Sequence, residues 1–259
     1  MQIWQGGSRP ARGGSGARHG RLLDARMPNR HVYLHETIAI VGTGSEAYKA
    51  HTGKLGSARR DGGAPLVGTW QQSGSTGSWP TVVNLWEMRD WGHWAEILER
   101  QYTRSSGQDP ALKEWWTEAT QWRSGGFDRI LVPAAFSPTR EEVIAAGIRG
   151  AACLQEIATV KPGTAERYLA AVGAGWRRAM SRRGLELLGA FRAAMRETEV
   201  VLLWNLPTFA HLTAYLRDAD GKPARAWRRR VRAWRLDHRE TLLVPSPWCV
   251  HHPDWSATR

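Results

Sequence analysis

Two glutamates at matching places in the chain are the residues best suited to chemistry. Glu36 lies within the apolar run VYLHETIAI, and Glu156 lies within the similar run ACLQEIATV. A carboxylate on the apolar face of a strand is unfavourable unless it is paired or protonated. Burial raises the pKa of such a group and lets it act as a general acid or base. We therefore predict both as catalytic candidates; the alternative is that each anchors the fold by pairing with an Arg or with backbone donors.

The opposite face of the first of these runs carries a third catalytic candidate. Successive side chains of a strand point to opposite faces, so Tyr33 and His35 lie together on the face away from Glu36. The matching positions of the second run hold Cys153 and Gln155, and a site kept by only one copy should show this asymmetry. Histidine titrates near neutral pH, so His35 is a candidate proton-transfer group, with a hydrogen-bonded structural histidine as the commoner alternative.

Four side chains are candidates for binding a substrate, namely Tyr33, Trp70, Asn84 and Trp86. Asn84 stands among Val and Leu, where its amide can orient a ligand carbonyl or satisfy a backbone group. The three aromatic side chains could form one wall of a pocket, although aromatic residues at such positions commonly belong to the core.

The two glutamates belong to two copies of one longer pattern, which lie about 120 residues apart. This spacing far exceeds the period of solenoid repeats and indicates duplication of a whole domain. The matching pairs are Leu34 with Leu154, Glu36 with Glu156, Glu46 with Glu166, and Tyr48 with Tyr168.

Each copy is predicted to contain the elements β-α-β-β-α-(α)-β, the split βαβ pattern of a ferredoxin-like unit. Such a unit has helices on one face of its sheet, so the other face must be covered by something else. Two copies in one chain can cover each other's bare faces and close a barrel-like sandwich. The predicted fold class is therefore α+β, with two tandem ferredoxin-like domains that pack within one chain.

The boundaries follow from changes in composition and periodicity along the chain. The predicted segments are a disordered basic tail over 1–30, a first domain over 31–138, a helical linker over 139–149 and a second domain over 150–259. Late in each domain we expect a helix and then a closing strand, over 111–123 and 127–136 in the first copy and over 224–235 and 240–245 in the second.

Composition narrows the functional class. The 259 residues carry a formal charge of +12 and include 15 Trp but two Cys, which excludes a disulfide framework. Much of the positive charge lies in the tail and in the stretch 225–239, which is not a surface that tracks nucleic acid. No apolar run is long enough to span a bilayer. We predict a cytoplasmic protein without a specific nucleic-acid partner, and leave open a homo-oligomer and peripheral contact with membranes.

Four short motifs resemble the NIPSNAP family, and the resemblance covers nearly all of residues 32–247. They are KPGT at 161–164, LVGTW at 66–70, VVNLW at 82–86 and ILVPAAFSP at 130–138. The resemblance implies a tandem dimeric α/β-barrel, a superfamily that holds monooxygenases, cyclases, isomerases and haem proteins. The family often has a Glu and an Arg two residues apart in its first strand, where this chain has Leu34 and Glu36, so a role of that pair does not carry over.

Two functions from different classes remain. The first is a small-molecule enzyme with cofactor-free acid/base chemistry, an isomerase, cyclase or monooxygenase acting on a hydrophobic, aromatic metabolite. The second is a non-catalytic binding or scaffold protein that uses its basic helix for membrane or protein contacts; that helix could also hold an anionic substrate group. No cofactor is predicted, and haem rests on the resemblance alone. The C-terminal Cys249, His251, His252 and Asp254 fit no zinc pattern, so no metal is predicted.

Overall fold

The computed structural model describes residues 28–58, 63–102 and 110–256. Of the predicted tail, residues 1–27 therefore lie outside the described residues. Within the described ranges, the strands are β1 (Val32–Ile40), β2 (Leu66–Gln72), β3 (Thr81–Met88), β4 (Arg123–Pro133), β5 (Ala152–Val160), β6 (Glu186–Ala193), β7 (Glu199–Leu206) and β8 (Arg235–Pro245). The helices are α1 (Ser45–Ala58), α2 (Trp91–Tyr102), α3 (Pro110–Ala119), α4 (Arg140–Ala145), α5 (Ala165–Ala171), α6 (Arg177–Ser181), α7 (Phe209–Arg217) and α8 (Lys222–Val231).

The strands form one closed antiparallel barrel in the order β1-β3-β2-β8-β5-β7-β6-β4. The first four strands of the sequence are adjacent as β2-β3-β1-β4, and the last four repeat this order as β6-β7-β5-β8. Two seams, β2 with β8 and β4 with β6, join the two sets and close the barrel. The result is a mixed α/β fold in which the outer strands of each set pair with those of the other, so closure covers the edges of the described strands.

The interior of the barrel is built from both sets of strands, as the argument about bare sheet faces predicts. One apolar cluster contains Tyr33, Leu85, Leu203 and Phe191 and is filled by side chains of the two sets together. The Tyr33 and Phe191 rings lie 4.8 Å apart, centre to centre. Helices cover the outer face, where the largest cluster includes Trp204, Trp176 and Trp227.

Matching bulges in β2 and β6 show why glycine occurs at the same place in both copies. The strand register shifts at Gly68 and again at Gly189. A Cβ atom on Gly68 would lie 2.4 Å from the ring of Trp70, and one on Gly189 would lie 2.3 Å from the ring of Phe191. Each glycine therefore makes room for an aromatic ring two residues later that fills the barrel.

The closing strands begin earlier than predicted, and the preceding helices end earlier. The helix expected over 111–123 ends at Ala119, and the helix expected over 224–235 ends at Val231. β4 begins at Arg123 because that residue pairs with Ile40 at the end of β1, and β8 begins at Arg235 because that residue pairs with Val160. Pairing with a distant strand thus overrides a local helical pattern at the same point in both copies.

The helices α4 to α6 have two local features: a capping box at the start of α4 and a π-helical turn between α5 and α6. The predicted helix in 139–149 is α4, whose capping box joins the Thr139 side chain to the Glu142 backbone and the Glu142 side chain to the Thr139 backbone. Helices α5 and α6 are joined by a π-helical turn over Val172–Trp176. In the part of the chain that the structure describes, we find no helix with the length and apolarity needed to cross a membrane.

Polar side chains in the barrel interior bond to one another across the two sets of strands. His35 donates from Nε2 to Gln155 Oε1 at 2.8 Å, and Gln155 donates in turn to Thr241 at 3.1 Å. Burial, reinforced by the positive charge of Arg129, lowers the pKa of His35 to about 4. His35 is therefore a neutral structural link between equivalent strands at neutral pH.

The lowered pKa of His35 predicts a specific acid sensitivity. The unfolded state binds a proton at about pH 6.5 and the folded state only at about pH 4, so stability contributed by neutral His35 is lost as the pH falls through this window. The loss amounts to about 3 kcal/mol. Urea unfolding of wild type and His35→Gln at pH 7 and pH 4.5 should show a smaller decrease for the variant. An equal decrease in both proteins would contradict this assignment.

Candidate functional site

Glu36 has one carboxylate oxygen that is held and one that is available. Its Oε2 atom accepts hydrogen bonds from Trp86 Nε1 at 2.7 Å and from Asn84 Nδ2 at 3.1 Å. No described residue donates to its Oε1 atom. The side chain leaves the outer face of β1 and enters the layer between the sheet and helices α1 and α3, where it is 8% exposed. Two donors on one oxygen fix the carboxyl group and leave the other oxygen for a further partner.

The surroundings of Glu36 favour its protonated form. Burial raises the pKa of Glu36 above its ordinary value of 4.5, and the negative charge of Asp128, its register partner on β4, adds to that effect. The hydrogen bonds from Trp86 and Asn84 and the positive charge of Arg123 act in the opposite direction. A buried carboxyl group with a raised pKa is the kind of group that enzymes use as a general acid or base.

Several polar atoms around Glu36 are buried without a hydrogen-bond partner among the described residues. They are Asn84 Oδ1, Trp115 Nε1 and Arg123 Nη1. Tyr48 links them, since its hydroxyl accepts from Asn84 Nδ2 at 3.4 Å and its ring lies 6.4 Å from that of Trp115. Buried polar groups are normally paired, so this unused capacity at one place is what a polar ligand would satisfy.

Both carboxylate oxygens of Glu156, the counterpart of Glu36, accept hydrogen bonds. Its Oε1 atom accepts from Trp204 Nε1 at 2.6 Å and from Trp176 Nε1 at 3.4 Å. Its Oε2 atom accepts from His238 Nε2 at 3.1 Å. Trp204 corresponds to Trp86, so an indole N–H holds the glutamate in both copies. Both oxygens of Glu156 therefore have donors, and its side chain is 1% exposed.

The two copies also differ beside their glutamates. By the strand registers, Gly126 and Asp128 of the first copy correspond to His238 and Glu240 of the second. Glu240 accepts a hydrogen bond from the Tyr215 hydroxyl at 2.6 Å. Burial, and then the charge of Glu156, raise the pKa of Glu240.

Glu156, His238 and Glu240 form a cluster of side chains whose types can bind a metal ion. Donor atoms of Glu156, His238 and Glu240 lie within 4.8 Å of one another. Arg235 acts electrostatically on Glu240, and further arginines line the adjoining groove with His238. Positive charge beside the cluster opposes the binding of a metal cation, and both carboxylates already face His238.

The C-terminal residues considered for a metal are bonded elsewhere. His251 accepts from Trp70 Nε1 at 2.7 Å and bonds through Nδ1 to Asn205 Oδ1 at 3.0 Å. Cys249 donates to the Thr69 carbonyl at 3.0 Å. Burial lowers the pKa of His251 to about 3, so this histidine is a neutral part of the barrel interior.

The structure divides the predicted site residues between the two faces of the sheet. Glu36, Asn84 and Trp86 meet on the helix-covered face. His35, Tyr33 and Trp70 point into the barrel. The Tyr33 hydroxyl donates to Glu87 at 2.6 Å and accepts from Asn29 at 2.9 Å. The aromatic wall of Tyr33, Trp70 and Trp86 is therefore not formed, because the side chains leave opposite faces, and His35 cannot share a site with Glu36.

The residues that sequence reasoning missed reach the site through distant pairing. Arg123 and Asp128 come from β4, and Trp115 comes from α3, all far from Glu36 in the sequence. One signal was present: the VVNLW and VVLLW strands align Trp86 with Trp204, as their glutamates align. An indole that follows a glutamate by 50 residues in the first copy and by 48 in the second, at matching strand positions, points to a bond between them.

Solved structures with a similar fold support this architecture. A putative monooxygenase from Lactobacillus acidophilus NCFM aligns with a TM-score of 0.57 and 10% identity, over 83% of this chain and 94% of that one. An anthrone oxidase-like protein aligns with a TM-score of 0.57 and 10% identity, over 84% of this chain and 92% of that one. These neighbours are dimeric α/β-barrel proteins.

The similar structures also include NIPSNAP domain proteins. One from Burkholderia xenovorans is 24% identical and aligns with 42% of this chain and 99% of its own, with a TM-score of 0.34. No family model and no curated protein matches the chain. At these identities the likeness shows the fold, and the chemistry must be argued from the residues themselves.

The raised pKa of Glu36 predicts how its amide variant behaves with pH. A carboxyl group with a raised folded pKa destabilises the fold as the pH rises above its unfolded value, because the buried group must ionise. Glu36→Gln removes that charge and keeps an oxygen that can accept from Trp86. The melting temperature of the variant relative to wild type should therefore increase from pH 5 to pH 8. Glu166→Gln, at an exposed position, is the control, and a flat difference for Glu36→Gln would contradict the prediction.

Proposed function

We propose that this protein is a small-molecule enzyme that uses Glu36 as a general acid or base. The observation that carries the proposal is the geometry of the Glu36 carboxyl group, with one oxygen fixed by two donors and the other unoccupied by any described residue. Burial raises its pKa above the ordinary value of 4.5, a shift that is common in carboxyl groups used as general acids or bases. Both oxygens of Glu156 are taken up by described residues, so we assign it a structural role.

The chemistry that we propose is the removal of a proton from an acidic C–H or O–H group of the substrate, or its return. Isomerisation, cyclisation and cofactor-free oxygenation share this step. Arg123, which has a buried nitrogen without a partner among the described residues, would stabilise the negative charge that forms on the substrate. Asn84 Oδ1 would accept from a substrate hydroxyl, and Trp115 Nε1 would donate to a substrate oxygen.

The substrate that fits this layer is hydrophobic and aromatic with at least one polar group. Trp86, Tyr48 and Trp115 supply aromatic surface around the carboxyl group, and their positions favour a planar ligand. We also propose that the chain consists of two tandem ferredoxin-like domains, over 31–138 and 150–259, with 139–149 as the linker. The free thiols of Cys153 and Cys249 fit the cytoplasmic location that we propose.

A second candidate function is a non-catalytic binding or scaffold protein. The observations that favour it are the barrel interior filled by side chains and the exposed arginines of α8. In that case Glu36 would be a buried anchor like Glu156, and the unpaired atoms near it would have no ligand.

Direct identification of a bound metabolite tests the proposal and at the same time reveals the substrate. The protein is purified from its native host, and small molecules that co-purify are identified by mass spectrometry, with the visible spectrum recorded for haem or flavin. We expect an aromatic compound that is lost from Glu36→Gln or Arg123→Gln preparations. A metabolite retained equally by these variants, or a stoichiometric haem, would overturn a cofactor-free site at Glu36.

Turnover of that metabolite separates catalysis from folding. Glu36→Gln should lower kcat by at least about a hundredfold, while its melting temperature at pH 5 stays within a few degrees of wild type. Glu166→Gln should leave kcat unchanged. A large loss of stability in Glu36→Gln, together with unchanged kcat in the remaining folded protein, would assign Glu36 to the fold and favour the scaffold.

A further inference from the structure

An open groove lies on the second half of the molecule, between the C-terminal part of α8 and the start of β8. Its volume is about 440 Å³. The residues that line it are Arg228, Arg229, Arg232, Arg235, Leu236, Asp237 and His238. The lining thus brings four guanidinium groups and an imidazole to one place, against a single carboxylate.

The arginines of the groove differ in how their charge is compensated. Arg228 is tied to Asp220 at 2.8 Å and to the carbonyl of Ala219 at 2.7 Å. Arg229 and Arg232 make no ion pair with any residue that the structure describes, and the groove's own Asp237 pairs with Arg239 at 3.3 Å. Arg229 and Arg232 therefore bring positive charge to the groove that no described carboxylate pairs with, while Glu156 and Glu240 lie behind His238.

The His238 side chain is fixed by two carboxylates on the side away from the groove. Its Nε2 atom bonds to buried Glu156 at 3.1 Å and lies 3.7 Å from Glu240, which the Tyr215 hydroxyl fixes in turn. This leaves Nδ1 without a hydrogen bond to any described residue. Because Nε2 donates to Glu156, the Nδ1 atom of the neutral ring is a hydrogen-bond acceptor, and its orientation is set before a ligand arrives.

We propose that this groove is an anion site that binds the phosphate group of an organic phosphate. Guanidinium groups match the oxygens of a phosphate with paired hydrogen bonds and full charge, and His238 Nδ1 can accept from a protonated phosphate oxygen at the same place. Leu236, 61% exposed in the lining, offers contact for the organic part. The first copy cannot form this site because Gly126 stands where His238 does. The site is separate from Glu36 and does not depend on the function proposed there.

Calorimetric titration of the full chain with phenyl phosphate tests the proposal. We expect saturable binding that weakens by about tenfold or more in Arg229→Gln and in His238→Gln. Arg230→Gln is the matched control, because Arg230 lies on the same helix, is exposed and carries the same charge, but does not line the groove. That control should change the affinity by less than about twofold.

A second arm distinguishes a soluble phosphate from a lipid headgroup. Flotation with vesicles of phosphatidic acid in phosphatidylcholine is compared with phosphatidylcholine alone, for wild type, Arg229→Gln and Arg230→Gln. Specific loss in Arg229→Gln in either arm supports the site and identifies its source of phosphate. Equal losses of binding in Arg229→Gln and Arg230→Gln would show that only general positive charge matters and would contradict a specific site. A lack of binding by the wild type in both arms would overturn the proposal. Because Arg229 and Arg230 are both exposed, neither substitution should change the melting temperature, and this measurement checks that each variant is folded.

Discussion

The constraint on which the molecule depends is that a sheet with helices on one face must cover its other face. Each set of four strands leaves such a face bare, and the two sets cover each other when they join at the β2–β8 and β4–β6 seams. Closure also covers the strand edges. One apolar interior, which includes Tyr33, Leu203 and Phe191, then serves both halves, so neither half presents its inner face to water.

Because strand side chains alternate between faces, the closed barrel separates the polar side chains of each strand into an inner set and an outer set. Residues that point inward, such as His35, are committed to bonds across the barrel and lose contact with water. Residues that point outward, such as Glu36, meet the helices, where the packing differs between the copies. A site for a ligand can therefore develop between sheet and helix without disturbing the interior, because the backbone of β1 separates the two layers.

Much of this arrangement could be predicted from local patterns, and the failures have a common cause. The order of elements in each half, and the positions of the two glutamates within it, followed from periodicity and alignment. The stretches before Arg123 and Arg235 looked helical, yet pairing with Ile40 and Val160 made those residues the first of a strand. The indole bonds to the glutamates, and the arrival of Arg123 and His238 beside them, likewise depend on strand register. Register between distant segments leaves no mark on the local sequence.

Glu36 and Glu156 stand at matching positions and differ in how many of their carboxylate oxygens have donors. Both carboxyl groups accept an indole N–H, which fixes Trp86 and Trp204 against the sheet in the two halves. In the second copy, Trp176 and His238 take up the remaining capacity of Glu156. In the first copy the equivalent of His238 is glycine, and one oxygen of Glu36 keeps its capacity. A glycine in place of the histidine therefore leaves one oxygen of Glu36 without a described donor, while both oxygens of Glu156 accept hydrogen bonds.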